Sequence, residues 1–243
     1  MKRKKLSELN LTDDFLFGEV MSEPEICKGV LECILNTHIE RVELVQTEKS
    51  FKAKYDRRGI RLDVYASDNN NVLYNVEMQN IDYHDIPRRM RYSQGQLDVS
   101  MLEEGIDDYN ELNDTIIIFI CDFDPFGKER YIYSFKNIEI DDNSLTLDDG
   151  TAKIFISTRG KGEVRKELKD FLEYAKCSTT EEAEKSGDSF LKDLNEKVTC
   201  VKKSKSTEER FMVYEKIKYG ARLEGRAEAV SYTHLTLPTT PYV

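Results

Sequence analysis

The sequence predicts an α/β fold, in which helices flank a mixed central β-sheet and a helical portion forms the C-terminal end. Three patterns support this prediction. Apolar residues recur at helical spacing after Pro24. The β-rich runs Ile60–Ala66 and Val72–Gln79 flank Ser67–Asn71, a loop of turn-forming residues that is typical of a hairpin. The run Thr115–Cys121 is almost entirely apolar, which indicates a central strand buried on both faces.

The elements before and after the hairpin can be assigned in order. Thr12-Asp13-Asp14 is an N-cap signature for a short first helix, and Pro24 lies near the first position of a second one. Arg41–Gln46 indicates a strand. After the hairpin, Pro87–Glu104 reads as a long helix, and Gly105 is expected to end it.

Beyond the central strand, the chain predicts further strands and then helices with polar connections. The predicted strands are Tyr131–Phe135 and Lys153–Ile156, the predicted helices are Val164–Ala175 and Phe190–Val198, and the predicted loops are Cys177–Asp188 and Lys202–Ser206.

The last residues differ in composition from the rest of the chain. From Val230 onward there is no charged side chain, and Pro238 and Pro241 fall here. The string Val230–Thr240 resembles the in-frame translation of a sequencing adapter. We therefore expect an α/β core over residues 1–160, a truncated helical region over 161–229 and an unstructured foreign tail over 230–243. The natural sequence after Ala229 would then differ from the one given.

Composition excludes several classes of protein. The chain carries 36 Lys and Arg against 46 Asp and Glu, a net charge of −10, which argues against non-specific coating of DNA. Its five cysteines are scattered and form no C-x-x-C pair, so a disulfide framework or zinc cluster is not expected. Free thiols in a reducing cytoplasm fit this usage better. No apolar run reaches the roughly 18 residues of a membrane span, so no membrane partner is expected.

The candidate catalytic residues lie in the predicted hairpin. Strand alternation places Asn75, Glu77 and Gln79 on one face, and a hairpin symmetric about Asn70 places Asp63 directly opposite Glu77. Opposed carboxylates repel, and a divalent cation with oxygen ligands would relieve the repulsion. Two alternatives stay open from spacing alone. A one-residue bulge would put the two acids on opposite faces, and an acid-x-amide pattern also occurs on solvated strand faces.

These residues resemble the PD-(D/E)XK nuclease signature. The similarity is greatest to the PD-(D/E)XK nuclease family transposases, also called recombination-promoting nucleases, in which Gln takes the place of the usual Lys. It extends to the flanking segments Thr12–Phe17, Pro24–Cys27, Arg88–Tyr92, Gly105–Leu112 and Ile118–Gly127.

The resemblance implies a PD-(D/E)XK restriction-endonuclease-like core and a metal-dependent DNA endonuclease associated with mobile elements. Asp63, Glu77 and Gln79 would be catalytic, with Asp63 and Glu77 ligating Mg²⁺, or Mn²⁺ in its place. DNA would be the substrate, and a homodimer is a candidate assembly. The sequence shows no strand-transfer machinery, so the family name alone does not predict transposition.

The glutamine raises a chemical question. An amide neither carries charge nor accepts a proton, so Gln79 cannot do all that a lysine would do. Arg88, Arg89 and Arg91 are therefore candidates to meet transition-state charge and to bind DNA, against the alternative of a solvated basic face.

Several neighbouring residues are weaker candidates. Glu19 could supply a further acid from the first helix, and Ser93 stands where the family usually has a second tyrosine. His84 is a candidate proton relay, although an exposed loop histidine is the simpler interpretation. Asp122 and Asp124 are expected to cap the turn before Pro125.

Two other functions stay open. One is a catalytically degenerate module that binds DNA or protein on the same fold. The other is a nuclease toxin or defence protein that a partner holds in check.

Overall fold

A mixed six-stranded β-sheet lies at the centre of the protein. The computed structural model describes residues 4–47, 50–51, 60–61, 64–103 and 108–235. The strands run in the spatial order β1-β4-β5-β6-β8-β7, and the short β2 and β3 pair separately. Their bounds are β1 Val42–Thr47, β2 Ser50–Phe51, β3 Ile60–Arg61, β4 Val64–Asp68, β5 Leu73–Gln79, β6 Thr115–Cys121, β7 Ile132–Phe135 and β8 Thr151–Ser157.

Strands β4 and β5 form the predicted hairpin. Val64 pairs with Val76, and Tyr65 pairs with Asn75, in the register expected for symmetry about Asn70. Strand β5 runs parallel to β6, and β6 runs parallel to β8, whereas β1 and β7 add antiparallel edges. The carboxyl ends of β5, β6 and β8 therefore meet at one edge of the sheet.

The N-terminal helices begin where their capping signals predict. Helix α1, Asp14–Met21, is capped by Asp13, whose carboxylate accepts from the Phe15 N–H. Helix α2, Pro24–Leu35, begins at its proline and ends at Asn36 in the left-handed conformation. These helices contact β5 and β1, respectively. Helix α3, Ile86–Glu103, follows the hairpin, and Gly105, its predicted stop, lies outside the described residues.

The C-terminal helices differ from two sequence predictions. They are α4 Lys166–Cys177, α5 Thr180–Ser186, α6 Ser189–Lys203 and α7 Lys205–Leu235. The predicted loop Cys177–Asp188 contains α5, because the Thr179 side chain accepts from the Glu182 N–H and caps a helix there. The predicted loop Lys202–Ser206 is helical except at Ser204, which separates α6 from α7.

The chain divides into two compact units, Met1–Val201 and Lys202–Val243. Within the first unit, residues at the two ends of α4 are bonded to the N-terminal segment. The Arg165 guanidinium donates to the carbonyls of Cys33 and Ile34, and Ser178 Oγ accepts from the Leu11 N–H at 2.7 Å. In the second unit, α7 continues to Leu235.

Helix α3 covers the sheet face that carries the residues of interest. Ile86 and Met90 pack against Ile117, Phe119 and Phe155 in one buried cluster. Farther along the helix, Leu97 and Met101 pack against Tyr65 and Leu73. The fold is thus α/β, with a mixed sheet flanked by helices, as the sequence predicts. No helix in the described part of the chain combines the length and apolar character needed to cross a membrane.

Candidate active site

Three polar side chains follow one face of β5, as the alternation predicts. Asn75 Nδ2 donates to Glu77 Oε1 at 3.0 Å, and Gln79 Nε2 lies 3.4 Å from Glu77 Oε2. Asn75 and Glu77 are buried, whereas Gln79 is half-buried at the end of the strand. The side chains on this face therefore become more exposed towards the carboxyl end of β5.

The adjacent strand β6 fixes the position of this end. Glu77 lies beside Phe119 and Gln79 lies beside Cys121 in the parallel register. The Asp122 N–H continues the pairing by donating to the Gln79 carbonyl at 2.8 Å. Burial raises the pKa of the Cys121 thiol to about 12, so this cysteine is a neutral packing group rather than a nucleophile.

Arg89 of α3 bridges the glutamate and the glutamine. Its Nη1 donates to Gln79 Oε1 at 2.9 Å, and its Nη2 donates to Glu77 Oε2 at 3.1 Å. The guanidinium also lies over the Phe119 ring, 5.8 Å from its centroid. Of the three predicted arginines, the structure brings Arg89 to the site and leaves Arg88 and Arg91 exposed on α3.

The Glu77 carboxylate is in a low-dielectric environment with several donors. Burial raises the pKa of Glu77, and hydrogen bonds from Asn75 and Ser93 and the charge of Arg89 oppose that rise. Ser93, one helical turn after Arg89, is itself buried. Sequence reasoning treated Ser93 only as a departure from the family, although its spacing from Arg89 places both on one face of α3.

The remaining predicted catalytic residue, Asp63, lies outside the described residues. Within the described part of the chain, no group of three or more His, Cys, Asp or Glu side chains is arranged to hold a metal ion. The Glu77 carboxylate and the Gln79 carboxamide fit a hard divalent cation, because oxygens of these two types are its preferred protein ligands. Asn75 Oδ1 is a buried oxygen without a hydrogen-bond partner among the described residues.

Two other candidates occupy different surroundings. Glu19 is half-buried on α1, the helix that contacts β5. His84 is exposed in the loop before α3, with a positive φ of 57° and its Nδ1 3.0 Å from Asp82 Oδ2. The structure gives His84 no contact with Glu77 or Gln79 among its described bonds, which agrees with the simpler interpretation of an exposed loop residue.

A hydrogen-bonded turn follows β6 beside the site. Asp124 accepts from the Phe126 N–H at 3.1 Å and from the Tyr133 hydroxyl at 2.6 Å, which confirms its expected role in this turn. Asp122 accepts from Thr158 Oγ1 at 2.6 Å and pairs with Arg159 at 3.2 Å. Arg159 follows β8 and was not singled out from the sequence, because its proximity depends on β6 and β8 being neighbours.

Comparison with known proteins identifies one family. The sequence model of the family described as PD-(D/E)XK nuclease family transposase matches residues 12–223. This range includes β5, α3 and every predicted site residue. The search of curated proteins gave no match, and the search of solved structures gave none either.

Proposed function

The chain belongs to the PD-(D/E)XK nuclease family transposases, and from this premise we propose that it is a DNA endonuclease that hydrolyses phosphodiester bonds with a divalent metal ion. One observation carries the proposal. At the carboxyl end of β5, the carboxylate of Glu77, the amide of Gln79 and the guanidinium of Arg89 are joined by hydrogen bonds. This group combines a metal-ligand oxygen, a neutral polar group and a fixed positive charge.

We assign the metal ligands to Asp63 and Glu77. This pairing was predicted from a hairpin symmetric about Asn70, and the described part of the hairpin has that register, with Val64 opposite Val76 and Tyr65 opposite Asn75. A bound Mg²⁺ or Mn²⁺ would polarise the scissile phosphate and lower the pKa of a bound water.

Gln79 and Arg89 together would replace the lysine of other PD-(D/E)XK nucleases. The Gln79 amide can orient a water or a phosphate oxygen but supplies no charge. Arg89 supplies the charge, and its planar fork matches two phosphate oxygens as well as it matches the oxygens of Glu77 and Gln79. Its side chain is 38% exposed, so the guanidinium can be reached from solvent.

Arg88 and Arg91 would extend this contact to the DNA backbone. Both are exposed on α3, the helix that carries Arg89. Arginines on one helix can neutralise successive phosphates without reading base sequence. Because the net charge of −10 repels DNA from the rest of the protein surface, DNA would approach the arginines of α3.

The test is cleavage of supercoiled plasmid by the full chain with Mg²⁺, with Mn²⁺ and with EDTA. We expect nicking or linearisation with either metal, none with EDTA, and loss of cleavage in Asp63→Asn and Glu77→Gln. Glu196→Gln, which removes an exposed carboxylate on α6, is the matched control and should cleave normally. Undiminished cleavage by Glu77→Gln would refute the assignment of the site.

A second candidate is a DNA-binding module without cleavage. The ion pair between Arg89 and Glu77 favours it, because an arginine already compensates the carboxylate that would otherwise need a cation. Retention of DNA in a mobility-shift assay, with no cleavage under Mg²⁺ or Mn²⁺, would support this candidate over the endonuclease.

A further inference from the structure

The Glu77 carboxylate is held by donors from two elements. Glu77 is 2% exposed, and Asn75 Nδ2 donates to its Oε1 from the same strand. Arg89 Nη2 donates to Oε2 from α3, and the Ser93 hydroxyl also bonds to the carboxylate. Because a buried carboxylate keeps its charge only where donors meet it, these groups determine which way its oxygens point.

Asn75 is the member of this set that packing does not explain. It is fully buried in the middle of β5, between Tyr65 of β4 and Ile117 of β6. Its Oδ1 has no hydrogen-bond partner among the described residues. A buried amide with an unmet carbonyl is less favourable for stability than an apolar side chain of similar size. The asparagine therefore has a use other than packing.

The chemistry of the neighbouring groups fixes the orientation of this amide. An ionised carboxylate only accepts hydrogen bonds, so the NH₂ group of Asn75 faces Glu77 and its carbonyl faces away. Donation to Oε1 leaves Oε2 towards Gln79 and Arg89, 3.4 Å and 3.1 Å away, respectively. Asn75 thus restrains the rotation of the Glu77 carboxylate, so that the oxygen not bonded to Asn75 lies next to Arg89 near the carboxyl end of β5.

We propose that Asn75 is a positioning residue of the nuclease site, and that its carboxamide holds the Glu77 carboxylate with Oε2 directed to where a divalent cation and a DNA phosphate bind. This inference rests on the proposed function. Asn75 touches neither the metal nor the DNA and acts through Glu77. Groups that orient a metal ligand in this way commonly change metal affinity and turnover when they are removed.

A second buried asparagine offers a matched control. Asn195 of α6 accepts from the Tyr174 hydroxyl at 3.2 Å and donates to Thr180 Oγ1 at 3.2 Å. Both ends of its amide are bonded, so Asn195 stabilises the packing of three helices. Leucine is similar in size to asparagine but has no amide. Asn195→Leu therefore removes an amide whose two ends are both hydrogen-bonded, whereas Asn75→Leu removes one whose carbonyl has no hydrogen-bond partner among the described residues.

The experiment compares Asn75→Leu and Asn195→Leu in the full chain. Mn²⁺ affinity is measured by isothermal titration calorimetry, plasmid cleavage is resolved into kcat and KM, and melting temperature is measured without metal. For Asn75→Leu we expect Mn²⁺ affinity and kcat to fall by about 10- to 100-fold, the range seen for supporting groups of metal ligands. The KM for DNA and the melting temperature should not worsen. Asn195→Leu should lower the melting temperature and leave Mn²⁺ affinity unchanged.

Each outcome decides the inference. Wild-type Mn²⁺ affinity and cleavage in Asn75→Leu would overturn it and leave the proposed function standing. Losses that accompany a lower melting temperature would also overturn it, since they indicate a structural role. A wild-type chain that neither binds Mn²⁺ nor cleaves DNA would overturn the proposed function and this inference together. If leucine prevents folding, Asn75→Ala is judged by the same criteria.

Discussion

Arg89 and Glu77 form an ion pair between helix α3 and strand β5, with Nη2 3.1 Å from Oε2. The two partners differ in exposure, because 38% of the arginine side chain but only 3% of the glutamate side chain is accessible. A buried carboxylate is thus compensated by a cation at the mouth of the site. Removal of the cation should therefore affect stability as well as activity.

Arg89→Ala is expected to lower the free energy of unfolding by about 1–3 kcal/mol, because it removes the cation that is paired with the buried Glu77 carboxylate. Urea unfolding at pH 7 without metal measures the change. Arg91→Ala is the control on the same helix, and this exposed substitution should stay within about 0.5 kcal/mol of the wild type.

The same pair can be tested for coupling. In a Glu77→Gln background the buried charge is absent, so Arg89→Ala should lower stability by less than it does in the wild type. Strictly additive effects of the two substitutions would contradict a stabilising ion pair and would mean that Arg89 acts through its packing on Phe119.

Stability should depend on pH through Glu77. Burial raises the pKa of Glu77 above its ordinary value of 4.5, so the folded chain keeps a proton that the unfolded chain has lost. The wild type should therefore lose stability relative to Glu77→Gln as the pH rises from about 4.5 through the raised pKa, and the difference should then level off.

Urea unfolding of both proteins between pH 4 and pH 8, without metal, gives this difference directly. Other carboxyl groups are common to the two chains and largely cancel. A constant difference across that pH range would show that Glu77 has the same proton affinity in the folded and unfolded states.

The parts of this site that could be predicted from sequence are those set within one strand or hairpin. Alternation along β5 and the loop centred on Asn70 determine the shared face and the register. They also imply the contact between Asn75 and Glu77, because residues two apart on a strand lie on the same face.

Contacts that depend on how helices and strands pack against one another could not be predicted from the sequence. Arg88, Arg89 and Arg91 are equivalent by composition, and only the rotation of α3 about its axis brings Arg89 to Glu77. Helix α5 has a single buried apolar residue, Ala183, so it lacks the apolar stripe that predicts a helix. The N-cap residue Thr179 is the one feature of the sequence that indicates a helix at this position.

The turn after β6 predicts a second pH effect. Burial alone would raise the pKa of Asp124, but hydrogen bonds from the Tyr133 hydroxyl and from the N–H groups of Phe126 and Glu129 lower it below 3.8 overall. The bonds to the ionised form stabilise the fold above pH 3.8, and this contribution is lost as the pH falls through the lowered pKa.

Asp124→Asn should therefore lower the free energy of unfolding by about 1 kcal/mol at pH 7, with a smaller difference at acidic pH. Thermal melts between pH 3 and pH 7 measure it. Asp141→Asn removes an exposed carboxylate outside this turn and should melt like the wild type. If Asp124→Asn has the same melting temperature as the wild type at pH 7, the hydrogen bonds to Asp124 do not stabilise the turn.

The exposed arginines of α3 should affect DNA binding without affecting the chemistry. Arg88→Ala and Arg91→Ala each remove a cation that we propose contacts a phosphate, so each should weaken DNA binding for all sequences alike and reduce the salt dependence of log K by about one unit of slope. Fluorescence anisotropy at several salt concentrations measures the slope, with Glu77→Gln as the background so that DNA is not cleaved. In the chain that keeps Glu77, Arg88→Ala and Arg91→Ala should cleave saturating DNA with the wild-type kcat, because neither arginine side chain contacts Glu77 or Gln79 in the described structure. Lys192→Ala, an exposed cation on α6, is the matched control for the loss of one positive charge. An equal loss of slope in Lys192→Ala would show that net charge, rather than a DNA contact on α3, accounts for the effect.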